Sequence, residues 1–275
     1  MRKTLELHAG NLLVLVMMTS CALMPSRTPS EKARTNTTTQ FYFAQVTDTH
    51  FGKKENELRT QKAVNAINSL PMNIEFVAVT GDLTREKLED ESIVSNCIAV
   101  LNGLKPPVYY LPGNHDILHK KHDATMQIYT NHFGGLISQQ EYHGVVCLFV
   151  YTEPLAKSFS VPAYQPLKEL ETRLKQAEGK PVIVFHHSPS VDDFYGNQMH
   201  EGWKKDVREQ WVALLNKYQV KAVIAGHFHR DEHHWLGNVP LYVSSSIADT
   251  WGRQATYRIY EYKNGKIGYR TQYIR

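Results

Sequence analysis

The chain has 275 residues, 42% of them apolar, and it contains three cysteines. This length suits one large domain or two small ones with a sizeable core. The net charge of +4 is too small to indicate a nucleic-acid or membrane-surface partner.

The first 21 residues have the pattern of a targeting segment. Arg2 and Lys3 give a positive start, the short apolar run Leu12–Met18 follows, and small residues precede Cys21. This run is too short to span a bilayer, but it suits the apolar region of a secretory signal. We therefore predict a signal peptide at 1–21 with a lipobox-like Cys21, whose lipidation would anchor the protein to a membrane. A frayed N-terminus with a chance cysteine is the alternative.

Residues 22–40 are rich in Ser, Thr and Pro and lack hydrophobic periodicity, which is typical of a flexible linker. The folded domain is then predicted to cover residues 41–275. Cys97 and Cys147 lie in apolar patterns within it, and we interpret them as small buried hydrophobic residues. A disulfide between them is the alternative in an oxidising compartment.

Strand-like and helical patterns alternate along this domain, and its last part is all β. Strands are predicted at 41–47, 74–80, 108–111, 139–143, 145–151, 182–185, 220–225, 239–245, 256–262 and 266–274. A helix with Val64, Ile67 and Leu70 on one face is predicted to stop at Pro71, and further helices are predicted at 88–104, from Pro166, and at 203–218. Asn264-Gly265 is a strong hairpin signal between the last two strands. This order indicates a single α/β domain with two packed sheets and helices outside them.

Residues that commonly bind metal ions follow five of the predicted strands. The five motifs are Asp48-Thr49-His50, Gly81-Asp82, Gly113-Asn114-His115-Asp116, His186-His187 and Gly226-His227-Phe228-His229. The carboxyl ends of strands are where ligands bind in open α/β sheets. The pattern therefore predicts a site for two transition-metal ions. A further Asp-x-His, at Asp231-Glu232-His233, lies in a polar stretch, and we interpret it as a solvated loop.

The five motifs, in this order, resemble those of the calcineurin-like metallophosphoesterase superfamily. The similarity extends over nearly all of residues 41–275, and the sequence around the motifs resembles compact bacterial members of the cyclic-nucleotide phosphodiesterase and small protein phosphatase type. This resemblance implies a four-layer α/β sandwich, in which two mixed β-sheets pack face to face and are flanked by helices.

The resemblance also implies how the metal ligands are divided. Two divalent ions roughly 3.5–4 Å apart need a bridging ligand. By resemblance Asp82 is the bridge, and the other ligands are Asp48, His50 and His229 for the first ion and Asn114, His186 and His227 for the second. This mixture of imidazole and carboxylate suits Mn, Fe or Zn.

The fourth motif offers two histidines, His186 and His187. Because successive strand residues point to opposite faces, normally only one of them reaches the metals. We favour His186, which directly follows the apolar run VIVF, and His187 stays open as the alternative.

Two residues of the third motif are assigned to catalysis. His115 is expected to protonate the leaving oxygen. Asp116 is expected to orient that imidazole, or else to cap a helix. The predicted reaction is hydrolysis of phosphate mono- or diesters by a metal-bound hydroxide.

The predicted setting is the bacterial cell envelope, on the periplasmic or surface side, with a membrane anchor at Cys21. The alternative function is a surface lipoprotein that keeps the fold for partner binding without turnover.

Overall fold

The computed structural model describes residues 39–192 and 202–274. The predicted signal peptide, Cys21 and nearly all of the predicted linker 22–40 therefore lie outside the described residues. No helix within the described ranges is both long enough and apolar enough to span a membrane.

The described elements follow one another in the alternating order that the sequence predicts. The strands are β1 (Gln40–Val46), β2 (Ile74–Thr80), β3 (Val108–Leu111), β4 (Ile137–Tyr142), β5 (Val145–Val150), β6 (Val182–Phe185), β7 (Ala222–Ala225), β8 (Glu232–Leu236), β9 (Val239–Val243), β10 (Thr256–Lys263) and β11 (Lys266–Tyr273). The helices are α1 (Lys54–Asn68), α2 (Glu91–Leu101), α3 (His122–Phe133), α4 (Glu153–Ala156), α5 (Pro166–Gln176) and α6 (Lys205–Lys217).

The strands form two mixed sheets. The first has the order β11-β10-β1-β2-β3, and the second has the order β4-β5-β6-β7-β9-β8. β1, β2 and β3 run parallel to one another in the first sheet. β5, β6, β7 and β9 do the same in the second.

The two sheets pack face to face through an aromatic core. Phe43 of β1 stacks on Phe76 of β2 and on Tyr260 of β10, each at a ring-centroid distance of 4.9 Å. Phe185 of β6 meets Phe43 edge to face from the opposite sheet at 5.7 Å. Stacked and edge-to-face rings both add to the free energy of burial. The outer faces of the sheets contribute to two further apolar clusters, which include buried residues of the helices. The predicted four-layer α/β sandwich is thereby confirmed.

Three of these elements, α3, the four-residue α4 and β8, were absent from the sequence prediction. In α3 the buried side is Thr125, Tyr129 and Phe133, so its hydrophobic stripe is incomplete. β8 is an edge strand with the sequence EHHWL, and its side chains alternate between partly buried and exposed. Such polar composition is common where only one side of a strand is paired.

The start of α2 also differs from its prediction. Asp90 has an extended backbone, and its carboxylate accepts hydrogen bonds from the amides of Ser92 and Ile93. A capping carboxylate fixes the first turn of a helix. α2 therefore begins at Glu91 rather than at residue 88.

Candidate active site

The five predicted motifs meet at one edge of the two sheets. They directly follow β1, β2, β3, β6 and β7 in the chain. Because the first three strands are parallel neighbours, and β6 and β7 are parallel neighbours in the second sheet, their carboxyl ends lie together.

Asp82 lies at the centre of this convergence. Its Oδ2 is 3.7 Å from Nε2 of His50, and its Oδ1 is 3.3 Å from Nε2 of His187. Two groups of buried donor atoms, each close enough together to hold one metal ion, have Asp82 in common: Asp48, His50, Asp82 and His229, and then Asp82, His187 and His227. A carboxylate shared in this way is suited to bridge two cations.

The first group is held together by short contacts. Nε2 of His50 is 3.3 Å from Nε2 of His229, and Nε2 of His229 is 3.2 Å from Oδ1 of Asp48. The second group includes Asn114 as a neighbour, because its Oδ1 lies 3.2 Å from Nε2 of His187. Six of the seven sequence-assigned ligand residues thus lie at this site.

The seventh assignment, His186, is wrong, because the structure places His187 at the cluster instead. The His186 ring lies edge-on to Trp203 and Trp211, at centroid distances of 5.7 and 5.4 Å. Its Nδ1 is 3.4 Å from Oγ1 of Thr152. His186 is therefore packed among aromatic side chains beneath α6, away from Asp82.

The alternating direction of the side chains along β6 explains why His187, and not His186, lies at the cluster. Val182 and Val184 belong to the cluster under the helices, whereas Ile183 and Phe185 belong to the core between the sheets. Continuing this period of two puts His186 on the helix side and His187 on the inter-sheet side. Since both faces of β6 are apolar and buried, the sequence does not indicate which face lies toward the site.

The backbone is strained at the proposed ligands. Asp48, His50, Asp82, His227 and His229 all have positive φ, between 45° and 70°. Each such conformation costs on the order of 1 kcal/mol for a residue other than glycine. Strain at five convergent residues indicates that the surrounding fold imposes their geometry for function.

Two motif glycines are required by close approach. A Cβ at Gly113 would overlap Oδ1 of Asp82, and a Cβ at Gly226 would overlap Oγ1 of Thr47. Glycine lets the backbone come this near a functional side chain. These positions therefore allow the Asp82 carboxylate and the loop bearing His227 to lie where they do.

The electrostatics of the site favour cations. Burial opposes ionisation of Asp48 and Asp82, but His229 beside Asp48 and His187 beside Asp82 outweigh it, so that the pKa of each carboxyl lies below its usual value. Burial lowers the pKa of His50 to about 4. Burial also opposes charge on His187, but Asp82 raises the pKa of its imidazole above the usual value. The negative charge of Asp82, which favours a proton on His187, also favours a divalent cation in place of that proton.

The donor set fits a pair of divalent metal ions. Asp48 Oδ1, Asp82 Oδ2 and His50 Nδ1 are buried and accept or donate no hydrogen bond within the described part of the chain. Buried carboxylate oxygens without hydrogen bonds are costly unless a cation satisfies them. The two carboxylate oxygens and the imidazole nitrogens that face them form a ligand set suited to a dinuclear site.

Backbone and hydroxyl groups orient two of these imidazoles. Nδ1 of His187 donates to the carbonyl of Thr80 at 2.8 Å, which leaves Nε2 facing Asp82. Nδ1 of His229 lies 2.8 Å from Oγ1 of Thr250. Such partners fix the tautomer and direction of a metal-binding histidine. Sequence reasoning missed both, because neither residue belongs to a motif.

His115 lies at the mouth of the site with a different partner from the predicted one. Its Nε2 is 4.0 Å from Oδ2 of Asp82, and its Nδ1 is 3.1 Å from Oε1 of Glu86. Its backbone amide donates to Oδ1 of Asp82 at 2.9 Å. The imidazole is therefore paired with Glu86, and Nε2 faces the metal ligands.

Asp116 has neither of its predicted roles. Its fully buried carboxylate accepts hydrogen bonds from the amides of Leu83, Thr84 and Gly113 at 2.9 to 3.1 Å. It therefore ties the loop after β3 to the loop after β2, and no helix begins there. Burial and the charge of Asp82 raise the pKa of Asp116 to about 7.

Of the Asp231-Glu232-His233 motif, Glu232 and His233 belong to β8 rather than to a loop, whereas Asp231 is exposed just before that strand, as predicted. The Asp231 carboxylate nevertheless has partners: it accepts from the amide of Ser245 at 2.8 Å and pairs with the buried guanidinium of Arg258 at 3.1 Å. Ser245 in turn donates its hydroxyl to the carbonyl of His229 at 3.1 Å. Asp231 thus braces the loop that carries His229.

An open cavity of about 450 Å³ lies over these ligands. Besides the metal-ligand candidates and His115, it is lined by Asn56, Arg85, Lys157 and a segment of the loop between β9 and β10, Ala248–Trp251. The cavity is large enough for a small phosphate ester and gives it access to Asp82.

A buried, shared carboxylate with surrounding imidazoles at parallel strand ends defines a dinuclear metallohydrolase type of site. The sequence profile of calcineurin-like phosphoesterases matches residues 41–231, and the chain belongs to that family. Family and cluster together indicate a dinuclear divalent metal site.

Curated relatives come from both phosphatases and phosphodiesterases. The chain is 27% identical over 205 residues to the serine/threonine-protein phosphatase CPPED1 of Danio rerio, a match covering 68% of this chain and 64% of the relative. It is 27% identical over 249 residues to CPPED1 of Mus musculus, covering 78% and 77%. A probable cyclic nucleotide phosphodiesterase of Rhodopseudomonas palustris is 25% identical over 220 residues, covering 75% and 78%. The chain spans just under two thirds of the zebrafish relative's length.

Solved structures share the fold at low identity. A GAP50 structure from Plasmodium superposes with a TM-score of 0.67 at 14% identity, covering 86% of this chain and 85% of that one. A dimetal phosphatase from Danio rerio superposes with a TM-score of 0.60 at 12% identity, covering 86% and 99%. These likenesses concern the fold.

Proposed function

We propose that this protein hydrolyses phosphate mono- or diesters at a dinuclear metal site. The observation that carries the proposal is the sharing of Asp82 by two groups of buried donors. The names of the relatives, a protein phosphatase and a cyclic nucleotide phosphodiesterase, support both ester classes.

The residues proposed to hold the two ions are those of the two groups together with the neighbouring Asn114. Asp82 would be common to both ions, with Asp48, His50 and His229 at the first and with Asn114, His187 and His227 at the second. Four imidazoles, two carboxylates and one amide form a set suited to Mn, Fe or Zn rather than to Ca. The chemistry that such ions supply is charge neutralisation at phosphoryl oxygens and activation of water.

The chain's own groups complete the reaction. His115 is placed at the mouth of the cavity, where its Nε2 can give a proton to the departing oxygen. Glu86, at 3.1 Å from Nδ1, orients the ring so that Nε2 faces the cavity. Arg85 and Lys157 line the same cavity and are exposed, so they can contact the anionic substrate.

A direct test uses p-nitrophenyl phosphate and bis-p-nitrophenyl phosphate with Mn²⁺. The wild-type chain should hydrolyse at least one of them, and Asp82→Asn should lose nearly all of that turnover. Asp123→Asn is the matched control, because the Asp123 carboxylate is 95% exposed on α3. Full activity in Asp82→Asn would exclude the shared carboxylate as the basis of catalysis. A fold kept for partner binding alone would give no turnover in any of the three proteins.

We further propose that the protein is lipid-anchored through Cys21 in a bacterial cell envelope. The support is the order of charged, apolar and small residues before Cys21 in the sequence. Expression in a bacterial host tests it: the wild type should fractionate with membranes, and Cys21→Ser should not. Equal fractionation of the two proteins would contradict the anchor.

A further inference from the structure

Trp251 lies in the wall of the catalytic cavity and is 55% exposed. Within the described residues it is the only aromatic side chain other than histidine that lines this cavity. Tryptophan has a large apolar ring with one polar N–H group, a combination that is enriched at interfaces.

The backbone at this position is strained. Trp251 has φ of 52°, and Gly252, which follows it, has φ of 67°. A left-handed conformation is common for glycine but is an outlier for a bulky residue such as tryptophan. Strain of this kind persists only where neighbouring structure enforces it, and it concentrates at ligand-binding sites.

Neighbouring contacts hold the loop that bears Trp251. The carboxylate of Asp249 pairs with Arg59 and with Lys53, each at 3.2 Å, and its amide donates to Oδ1 of Asn56 at 2.9 Å. Arg59 also donates to the carbonyl of Arg253 at 2.9 Å. The loop is therefore anchored to α1 on both sides of Trp251.

The indole ring is also positioned directly. Its centroid is 5.7 Å from that of His229, at an angle of 61°. The guanidinium of Arg253 lies 5.2 Å from the ring centroid, on which it makes a cation–π contact. A ring fixed in this way loses little conformational entropy when a ligand stacks on it.

The cations of the cavity add a second element. Arg85 and Lys157 are exposed, and neither makes an ion pair with a described side chain. By contrast, Lys53 and Arg59 are paired with Asp249. Arg85 and Lys157 can therefore interact with the anionic part of a ligand while the indole contacts its apolar part.

We infer that Trp251 is a specificity-determining residue that selects phosphate esters carrying a flat aromatic or heteroaromatic ring, such as a nucleobase, in their alcohol group. The inference rests on the proposed function, since it concerns the ester bound at the same site. Stacking of a base on an aromatic side chain contributes a factor of roughly 5 to 150 in affinity.

The test compares two ligands that differ only in the ring. They are the phosphonate analogues of AMP and of ribose 5-phosphate, in which a methylene group replaces the ester oxygen, so that neither is hydrolysed. Dissociation constants are measured by calorimetry with Mn²⁺ for wild type, Trp251→Leu and Trp251→Phe. Trp235→Leu is the matched control, because Trp235 is 64% exposed on β8 and does not line this cavity.

The wild type and Trp235→Leu should bind the adenosine analogue about tenfold more tightly than the ribose analogue. Trp251→Leu should bind both with the affinity of the ribose analogue, and Trp251→Phe should retain part of the difference. No preference in the wild type, or a preference that survives in Trp251→Leu, overturns the inference. Hydrolysis of p-nitrophenyl phosphate by wild type separates the two proposals: if it persists while the preference is absent, only the role of Trp251 is lost.

Discussion

The side chain of Asn56 connects His50 to Asp249. Its Nδ2 donates to the carbonyl of His50 at 3.0 Å, and its Oδ1 accepts from the amide of Asp249 at 2.9 Å. Thr250, the next residue, contacts Nδ1 of His229. Asn56 on α1 thus ties the loop that presents His50 to the loop whose Thr250 contacts the imidazole of His229.

Removing this connection should weaken metal binding. We expect Asn56→Ala to raise the dissociation constant of the first metal by about 10- to 100-fold, as found for residues that orient metal ligands. The measurement is a competition titration with a chromogenic chelator. Asn65→Ala is the control, because Asn65 is exposed on the same helix. Equal dissociation constants for Asn56→Ala and wild type would show that the connection has no such role.

His186 should affect acid stability rather than metal binding. Burial lowers its pKa from 6.5 to about 3, so the unfolded chain takes up a proton below pH 6.5 that the folded chain does not. Stability is therefore lost as pH falls from 6.5 towards 3, by about 1.4 kcal/mol per pH unit from this residue.

We expect His186→Phe to reduce the loss of unfolding free energy between pH 6.5 and 5.0 by about 2 kcal/mol relative to wild type. Urea denaturation at the two pH values measures it. The metal content of this variant should match that of wild type, whereas His187→Phe should lose metal. Loss of metal in His186→Phe with retention in His187→Phe would restore the original assignment.

Substituting Asp116 should mainly lower the free energy of unfolding. Asp116→Ala leaves three buried amides, of Leu83, Thr84 and Gly113, without their acceptor. We expect the free energy of unfolding to fall by about 3 kcal/mol or more. Asp123→Ala, at an exposed position on α3, should change it by less than about 0.5 kcal/mol. Similar denaturation midpoints for the two variants would contradict the proposed tie between the loops.

The effect of substituting His115 on kcat should depend on the leaving group of the ester. We expect His115→Ala to lower kcat for an alkyl phosphate by about 10²- to 10⁴-fold with unchanged metal content. The loss should be much smaller for p-nitrophenyl phosphate, because p-nitrophenolate departs without a proton. His143→Ala, at a half-exposed histidine, is the control. An equal loss of kcat on both esters would exclude proton donation by His115.

The sequence was sufficient for the strands that build the site. β1, β2, β3, β6 and β7 are short apolar runs that end at metal-binding residues, and their parallel arrangement brings these residues together. The resemblance of the five motifs to one superfamily then predicted the sandwich of two sheets, which is confirmed, and a division of ligands that stays a prediction. Local pattern and motif order were enough to locate the site because each candidate ligand closely follows a strand.

The sequence was insufficient to predict those side-chain positions that depend on contacts between residues distant in the chain. Choosing between His186 and His187 requires knowing which buried face of β6 lies toward Asp82. Asn56 and Asp249 are 193 residues apart, and their contact leaves no local pattern. Asp116 was assigned to His115 because the two are adjacent in the chain, whereas its carboxylate turns toward backbone amides. The pairing of Asp231, just before β8, with Arg258 on β10 is likewise a contact between residues distant in the chain.

The most direct test of the shared-carboxylate site is the number of metal ions that each chain retains. Wild type, Asp82→Asn and Asp123→Asn are loaded with Mn²⁺, dialysed and analysed by mass spectrometry of the metal. We predict two ions per chain in wild type and in Asp123→Asn, and at most one in Asp82→Asn, because both ions depend on the same carboxylate. Two retained ions in Asp82→Asn, or none in wild type, would contradict a dinuclear site built around Asp82.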